Sequence, residues 1–136
     1  MSIIELYSSP YITVNFRPDK KIVHHTIHQP VGEAHIESHK EALHAGTEAL
    51  RQYGASKWLS DDRNNGPLPE EILEWSKGWY PVAVEAGWRY WANVVPAEVI
   101  AAGTLTAVLR ELHSYGLEMQ VFASVDEAEE WLDSRE

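Results

Sequence analysis

Three glycines set the plan of this chain. Gly54, Gly87 and Gly116 each end a stretch with helical periodicity, and each is followed at once by a β-rich run, at 55–60, 88–95 and 117–122. A glycine in that place supplies the left-handed residue that closes a helix before the chain turns away. Helix, glycine and strand recurring at about 30 residues is the length of a crossover unit, and crossover units require strands that run parallel. The expected sheet is therefore parallel or mostly parallel over its later strands.

The first thirty residues read differently. Residues 3–7, 11–16 and 22–28 are short β-rich runs, separated by Ser8-Ser9-Pro10 and by the turn former Arg17-Pro18-Asp19-Lys20. They predict an antiparallel hairpin or meander. From Glu33 the period changes: Ile36, Leu43, Leu50 and Tyr53 recur at helical spacing with Ala42, Ala45 and Ala49 beside them. A second helix begins at Pro69-Glu70-Glu71 and carries Ile72, Trp75, Trp79, Val82 and Ala86, with a kink expected near Gly78 and Pro81. After the third glycine-led strand's predecessor, residues 96–102 read as a turn or short helix. Gly103 breaks the segment, and Thr104 is the expected N-cap for a helix over 105–115. Ser124-Val125-Asp126-Glu127 reads as a capping box opening a last helix whose buried edge is Val125, Ala128, Trp131 and Leu132. The order is β-β-β-α-β-α-β-α-β-α, one α/β domain over residues 1–136 with a mixed sheet and helices mainly on one face.

Composition excludes several functions. Twenty-one acids against 11 bases give a formal charge of −10, which opposes phosphate backbones and anionic membrane surfaces. No cysteine is present, so disulfides and thiolate chemistry are out. No stretch approaches the ~20 apolar residues of a membrane span, and residues 1–6 lack the basic start of a leader. The expectation is a cytoplasmic protein that binds neither nucleic acid nor membrane.

A resemblance covers nearly the whole chain. Trp58-Leu59-Ser60-Asp61-Asp62-Arg63-Asn64, then 69–75, Trp79-Tyr80-Pro81, Ala86-Gly87, Tyr90-Trp91-Ala92 and the ending Glu130-Trp131-Leu132 resemble the bacterial SpoIIAA-like family. The resemblance implies a STAS-type fold, structurally related to the CRAL-TRIO lipid-transfer domain. It also implies regulatory protein binding, for which STAS antagonists use a phosphorylatable Ser or Thr opening the helix after the central strand. Here that place reads Pro67-Leu68-Pro69-Glu70-Glu71, with no hydroxyl and with negative charge already in position. Ser60 is close by but lies in a strand.

The candidate chemistry has a structural alternative at every point. His35 and His39 are four apart on the first helix, the spacing of a two-histidine metal clamp, but Glu37 is out of place for HExxH. A third ligand would come from His44, His24 or His28, and the last two lie ~13 Å apart along a strand and cannot share one ion; surface or half-buried structural roles are the favoured account of these side chains. Asp61, Asp62 and Arg63, with Asn64 and Asn65, stand at the carboxyl end of a central strand, where α/β sheets place ligand crevices. Their alternative is a loop whose polar side chains satisfy turn amides. Trp75, Trp79 and Tyr80, with Trp88 and Trp91, could line a pocket or a partner surface, or form core; six tryptophans exceed what one small core buries, so one or two should reach the surface.

No nucleophile elbow, phosphate loop or catalytic triad motif occurs. The expected function is non-enzymatic, without cofactor: a regulatory or adaptor module binding a protein partner, or itself as a homodimer, through residues 61–65 and the helix carrying Trp75, Trp79 and Tyr80. The alternative is a carrier of a small apolar or amphipathic ligand, which requires a tryptophan-walled cavity with a few convergent polar groups. A metal-dependent hydrolase using Asp61, Asp62 and histidines is the remaining reading.

Overall fold

A computed structural model describes residues 2–103 and 106–135. The elements are β1 (Ile4–Ser8), β2 (Ile12–Arg17), β3 (Ile22–Ile27), a 3-10 turn (Glu33–His35), α1 (Ile36–Tyr53), β4 (Lys57–Asp61), α2 (Glu70–Glu85), β5 (Tyr90–Val94), α3 (Ala97–Ala102), α4 (Thr106–Ser114), β6 (Glu118–Phe122) and α5 (Val125–Asp133). The expected order is present with one addition, a 3-10 turn before α1; the last crossover is divided at left-handed Gly103, as expected, into two helices. The N-cap expected at Thr104 lies outside the described residues.

The three glycines do what their positions require. Gly54, Gly87 and Gly116 all have positive φ. In each case the next residue donates its amide to the carbonyl five back: Ala55 to Leu50, Trp88 to Ala83 and Leu117 to Leu112. That is the 6→1 bond of the Schellman motif. Each strand starts one or two residues later than the β-rich run, because the cap uses the first residues.

All six strands form one sheet in the order β1-β2-β3-β4-β5-β6. β1, β2 and β3 pair antiparallel; β3 through β6 pair parallel. Every parallel step moves the same way across the sheet, so crossovers of the usual right-handed kind must lay their helices on a single face. That face buries α1, α2 and α4 against Phe16, Val23, Trp58, Trp88 and Met119. Among the described residues α5 covers the other face, through Ala128 and Leu132 on Ile22, Leu59, Ala92 and Val94. The N-cap half of the expected capping box forms, with Ser124 accepting the Glu127 amide, while the Glu127 carboxylate accepts from the Ser124 hydroxyl.

α1 buries Ile36, Ala42, Leu43, Ala49 and Leu50 as expected, and widens that stripe with His39, Gly46 and Thr47. Gly46 is there because a Cβ would lie 2.4 Å from the Trp58 ring. α2 buries Ile72, Ser76, Trp79 and Ala83, leaving Val82 half exposed. It continues as one helix through Gly78 and Pro81, both on its exposed side, where a missing amide donor costs least.

Candidate functional site

Parallel register places residues of successive strands side by side, so the helix-facing surface of the sheet is a set of rows. One row runs Val23, Trp58, Trp91, Met119 across β3 to β6; the next runs His25, Ser60, Asn93, Val121. The first is aromatic at its centre and the second polar. Between these rows and α1, α2 and α4 lies a cavity of about 310 Å³. Trp58, Trp79, Trp88, Trp91 and Tyr80 wall it, and His25, His39, Ser60, Asp62, Asn65 and Asn93 supply polar groups.

The polar groups are wired in a diagonal pattern. The Trp58 indole N–H donates to Nδ1 of His25 at 3.0 Å, one strand back and one row on. The Trp91 indole N–H makes the same step to Oγ of Ser60 at 2.6 Å. An indole nitrogen is only a donor, so Nδ1 of His25 is an acceptor and the ring proton sits on Nε2. That N–H points to Oδ1 of Asp62 at 2.9 Å. His25 is thus a neutral imidazole with both nitrogens engaged, and Asp62 is a carboxylate held by a neutral donor. The third diagonal step would start from β6, where Met119 has no N–H to give, and the amide oxygen of Asn93 is buried without a partner. On α1, Nδ1 of His39 is likewise buried and unpartnered. Both residues are over nine-tenths buried, at 7% and 5% exposure.

Electrostatics follow from this burial. His39 is pushed down to about 4, chiefly by burial. Tyr80 is pushed up to about 12, again by burial first, with Glu111, Tyr115 and Asp62 adding to it. Both groups are neutral at pH 7. At the mouth, Lys77 is bound to Glu74 at 3.1 Å, and Glu111 stands nearby on the lining.

The expected site residues divide. Asp62, Asn65, Trp79 and Tyr80 line the cavity. Asn65 accepts the Val31 amide, fastening the loop after β4 to the segment after β3. Asp61 and Asp62 do not form a carboxylate pair, because alternation along the strand sends them to opposite faces. Asp61 lies instead in a two-bond pair with Arg63, at 2.9 and 2.8 Å. Burial would raise the Asp61 carboxyl, but the Arg63 bonds and charge outweigh it and hold the group below its ordinary range. Asn64 is exposed in the turn. Trp75 stacks on Trp79 outside the cavity lining, with ring centroids 5.8 Å apart.

His35 and His39 do not converge. The His35 ring stacks on Tyr11 while His39 points into the cavity. Among the described residues no three His, Asp or Glu side chains come together as a metal-binding group. Trp58, Trp79 and Trp88 are buried, while Trp75, Trp91 and Trp131 keep part of their surface exposed.

His25, Ser60 and Asn93 are functional candidates that the motif search passed over. A signal was available in the repeat of Trp-x-polar, at Trp58-Leu59-Ser60 and Trp91-Ala92-Asn93, in consecutive parallel strands. Comparison of the chain with family models, with curated proteins and with solved structures found no match.

Proposed function

We propose that this protein is a binding or carrier module for a small amphipathic molecule held in the tryptophan-walled cavity. The observation that carries the proposal is the pairing of an aromatic cavity with two buried polar side chains, Asn93 and His39, each with an atom left without a partner. A buried polar atom without a hydrogen bond costs about 1–3 kcal/mol, so a ligand that satisfies both gains affinity from groups already in place. The volume is at the small end of ligand pockets. A non-enzymatic role agrees with His25, whose two nitrogens are committed and which therefore has no lone pair for a general base. A lipid-carrier kinship with SpoIIAA-like and CRAL-TRIO relatives, resting on the framework motifs, belongs to the same reading.

A partner-binding role along α2 rests on a smaller feature. Leu73 and Val82 are 45% and 51% exposed, and Leu73 sits at the rim of the cavity. Native mass spectrometry of untagged protein purified gently from its source separates the two. A small non-covalent adduct, released on denaturation, is expected. A stoichiometric protein partner without such an adduct would favour the α2 surface. A bare chain that takes up no amphipathic probe would remove the carrier reading.

A further inference from the structure

We infer that the ligand of this cavity is an organic cation bearing N–H donors, a protonated amine on an apolar or aromatic body, with its ammonium group between Asp62 and Asn93. The inference deepens the carrier reading and rests on it.

Among the described residues no lysine or arginine pairs with Asp62. The nearest basic side chain in sequence, Arg63, is spent on Asp61 on the opposite face. The partner Asp62 does have is the Nε2–H of His25, and the Trp58 indole at Nδ1 keeps that imidazole neutral. The lysine on the cavity lining, Lys77, is tied to Glu74. The Asp62 side chain keeps 21% exposure, so solvent carries part of its charge, and a cation entering beside it would take the place of that solvent. Here the walls are built for one, since the faces of tryptophan and tyrosine rings attract ammonium groups.

The second partner is Asn93. Its register neighbour Ser60 receives an indole N–H from the next strand, as His25 does from Trp58. Met119 interrupts that series and leaves the Asn93 oxygen open. The open position is an acceptor, so the chemistry that fills it is a donor. The Asp62 amide is bonded to the Val94 carbonyl at 2.8 Å, so Asp62, just past the end of β4, lies alongside β5, the strand that carries Asn93, and both residues line the same cavity. A cation with two or more N–H groups satisfies both, while a neutral alcohol satisfies one and a carboxylate is repelled.

The test uses three probes of one shape: phenethylamine, phenethyl alcohol and hydrocinnamate, titrated into the intact protein and followed by tryptophan emission. The amine is expected to bind on the order of tenfold or more tighter than the alcohol, and the carboxylate weakest. Asp62→Asn keeps an acceptor for His25 and should collapse the preference for amine over alcohol to within about threefold. Met119→Trp supplies the missing donor and fills space, so it should abolish amine binding with the circular dichroism of the fold retained. Alcohol or carboxylate binding as tightly as amine would overturn the charge assignment and leave the cavity as a ligand site. Unchanged amine binding in folded Met119→Trp would overturn the role of Asn93. No binding by any probe, with an adduct still present in native mass spectra, also overturns the cation; no binding and no adduct removes the carrier reading with it.

Discussion

At the level of single residues, Gly46 shows how far the site reaches into the scaffold. Its missing side chain lets the Trp58 ring lie against α1, and Trp58 in turn fixes His25 and, through it, Asp62. Helix propensity alone would favour Gly46→Ala by about 1 kcal/mol. Overpacking against a fully buried indole costs about 1–3 kcal/mol and should prevail. Gly78→Ala is the control, since a Cβ there meets nothing within 4 Å and φ is ordinary; it should stabilise by about 0.5–1 kcal/mol. Paired urea melts of the two variants check both signs.

The buried histidines add a pH dependence with a definite direction. His39 and His24 are both pushed down to about 4, in each case chiefly by burial, from an ordinary value of 6.5. The folded state therefore prefers them neutral and the unfolded state takes up their protons first. Their contribution is complete above pH 6.5 and is lost as the pH falls from there towards 4. For His39 the loss amounts to about 3 kcal/mol. Denaturant midpoints should decline across that window, and His39→Gln should flatten the decline. His39 belonged to a metal pair in the sequence because spacing of four puts residues on one helix face. The pair is not legible as cavity and surface residues until β2 and β3 are laid beneath α1.

At the level of elements, α5 covers one face of the sheet, and its attachment can be apportioned. Lys20 and Asp133 pair at 2.8 Å, with the Asp133 side chain 48% exposed. Leu132 is fully buried on Ile22 and Leu59. An exposed ion pair contributes roughly 0–1 kcal/mol, whereas truncating a buried leucine costs about 2–5 kcal/mol. Asp133→Asn should therefore leave thermal stability nearly unchanged, and Leu132→Ala should lower it severely, as scanning calorimetry would register. The α5 cap and stripe were readable because a capping box and an apolar edge are local signals. The buried stripe of α2 was not: spacings of three and four fit Trp75 and Val82 as well as Ser76 and Ala83. Only the position of the Trp58 and Trp88 rings opposite decides between them.

At the level of the whole molecule, strand types and connections were legible and the cavity was not. Schellman glycines and crossover lengths specify parallel strands, while the match of His25 to Ser60 to Asn93 depends on register, which no local pattern states. Charge acts at this scale too. A net charge of −10 is a self-repulsion that dissolved salt screens. Raising NaCl from near zero to ~0.3 M should raise the melting temperature modestly. A fall would mean that attractive pairs such as Arg17 with Glu129, which salt also weakens, outweigh the repulsion.

The strand order carries a consequence for how the molecule comes into being. Space and sequence run together, β1 through β6, so during synthesis each strand leaving the ribosome meets the free edge of the one made just before it. No strand has to be inserted between two others already paired. The face under α5 is the exception to this orderly growth: Ile22, Leu59, Ala92 and Val94 accumulate there, strand by strand, until a helix made after all six arrives to cover them. Until α5 docks, those apolar side chains are the part of the growing chain most open to misassociation.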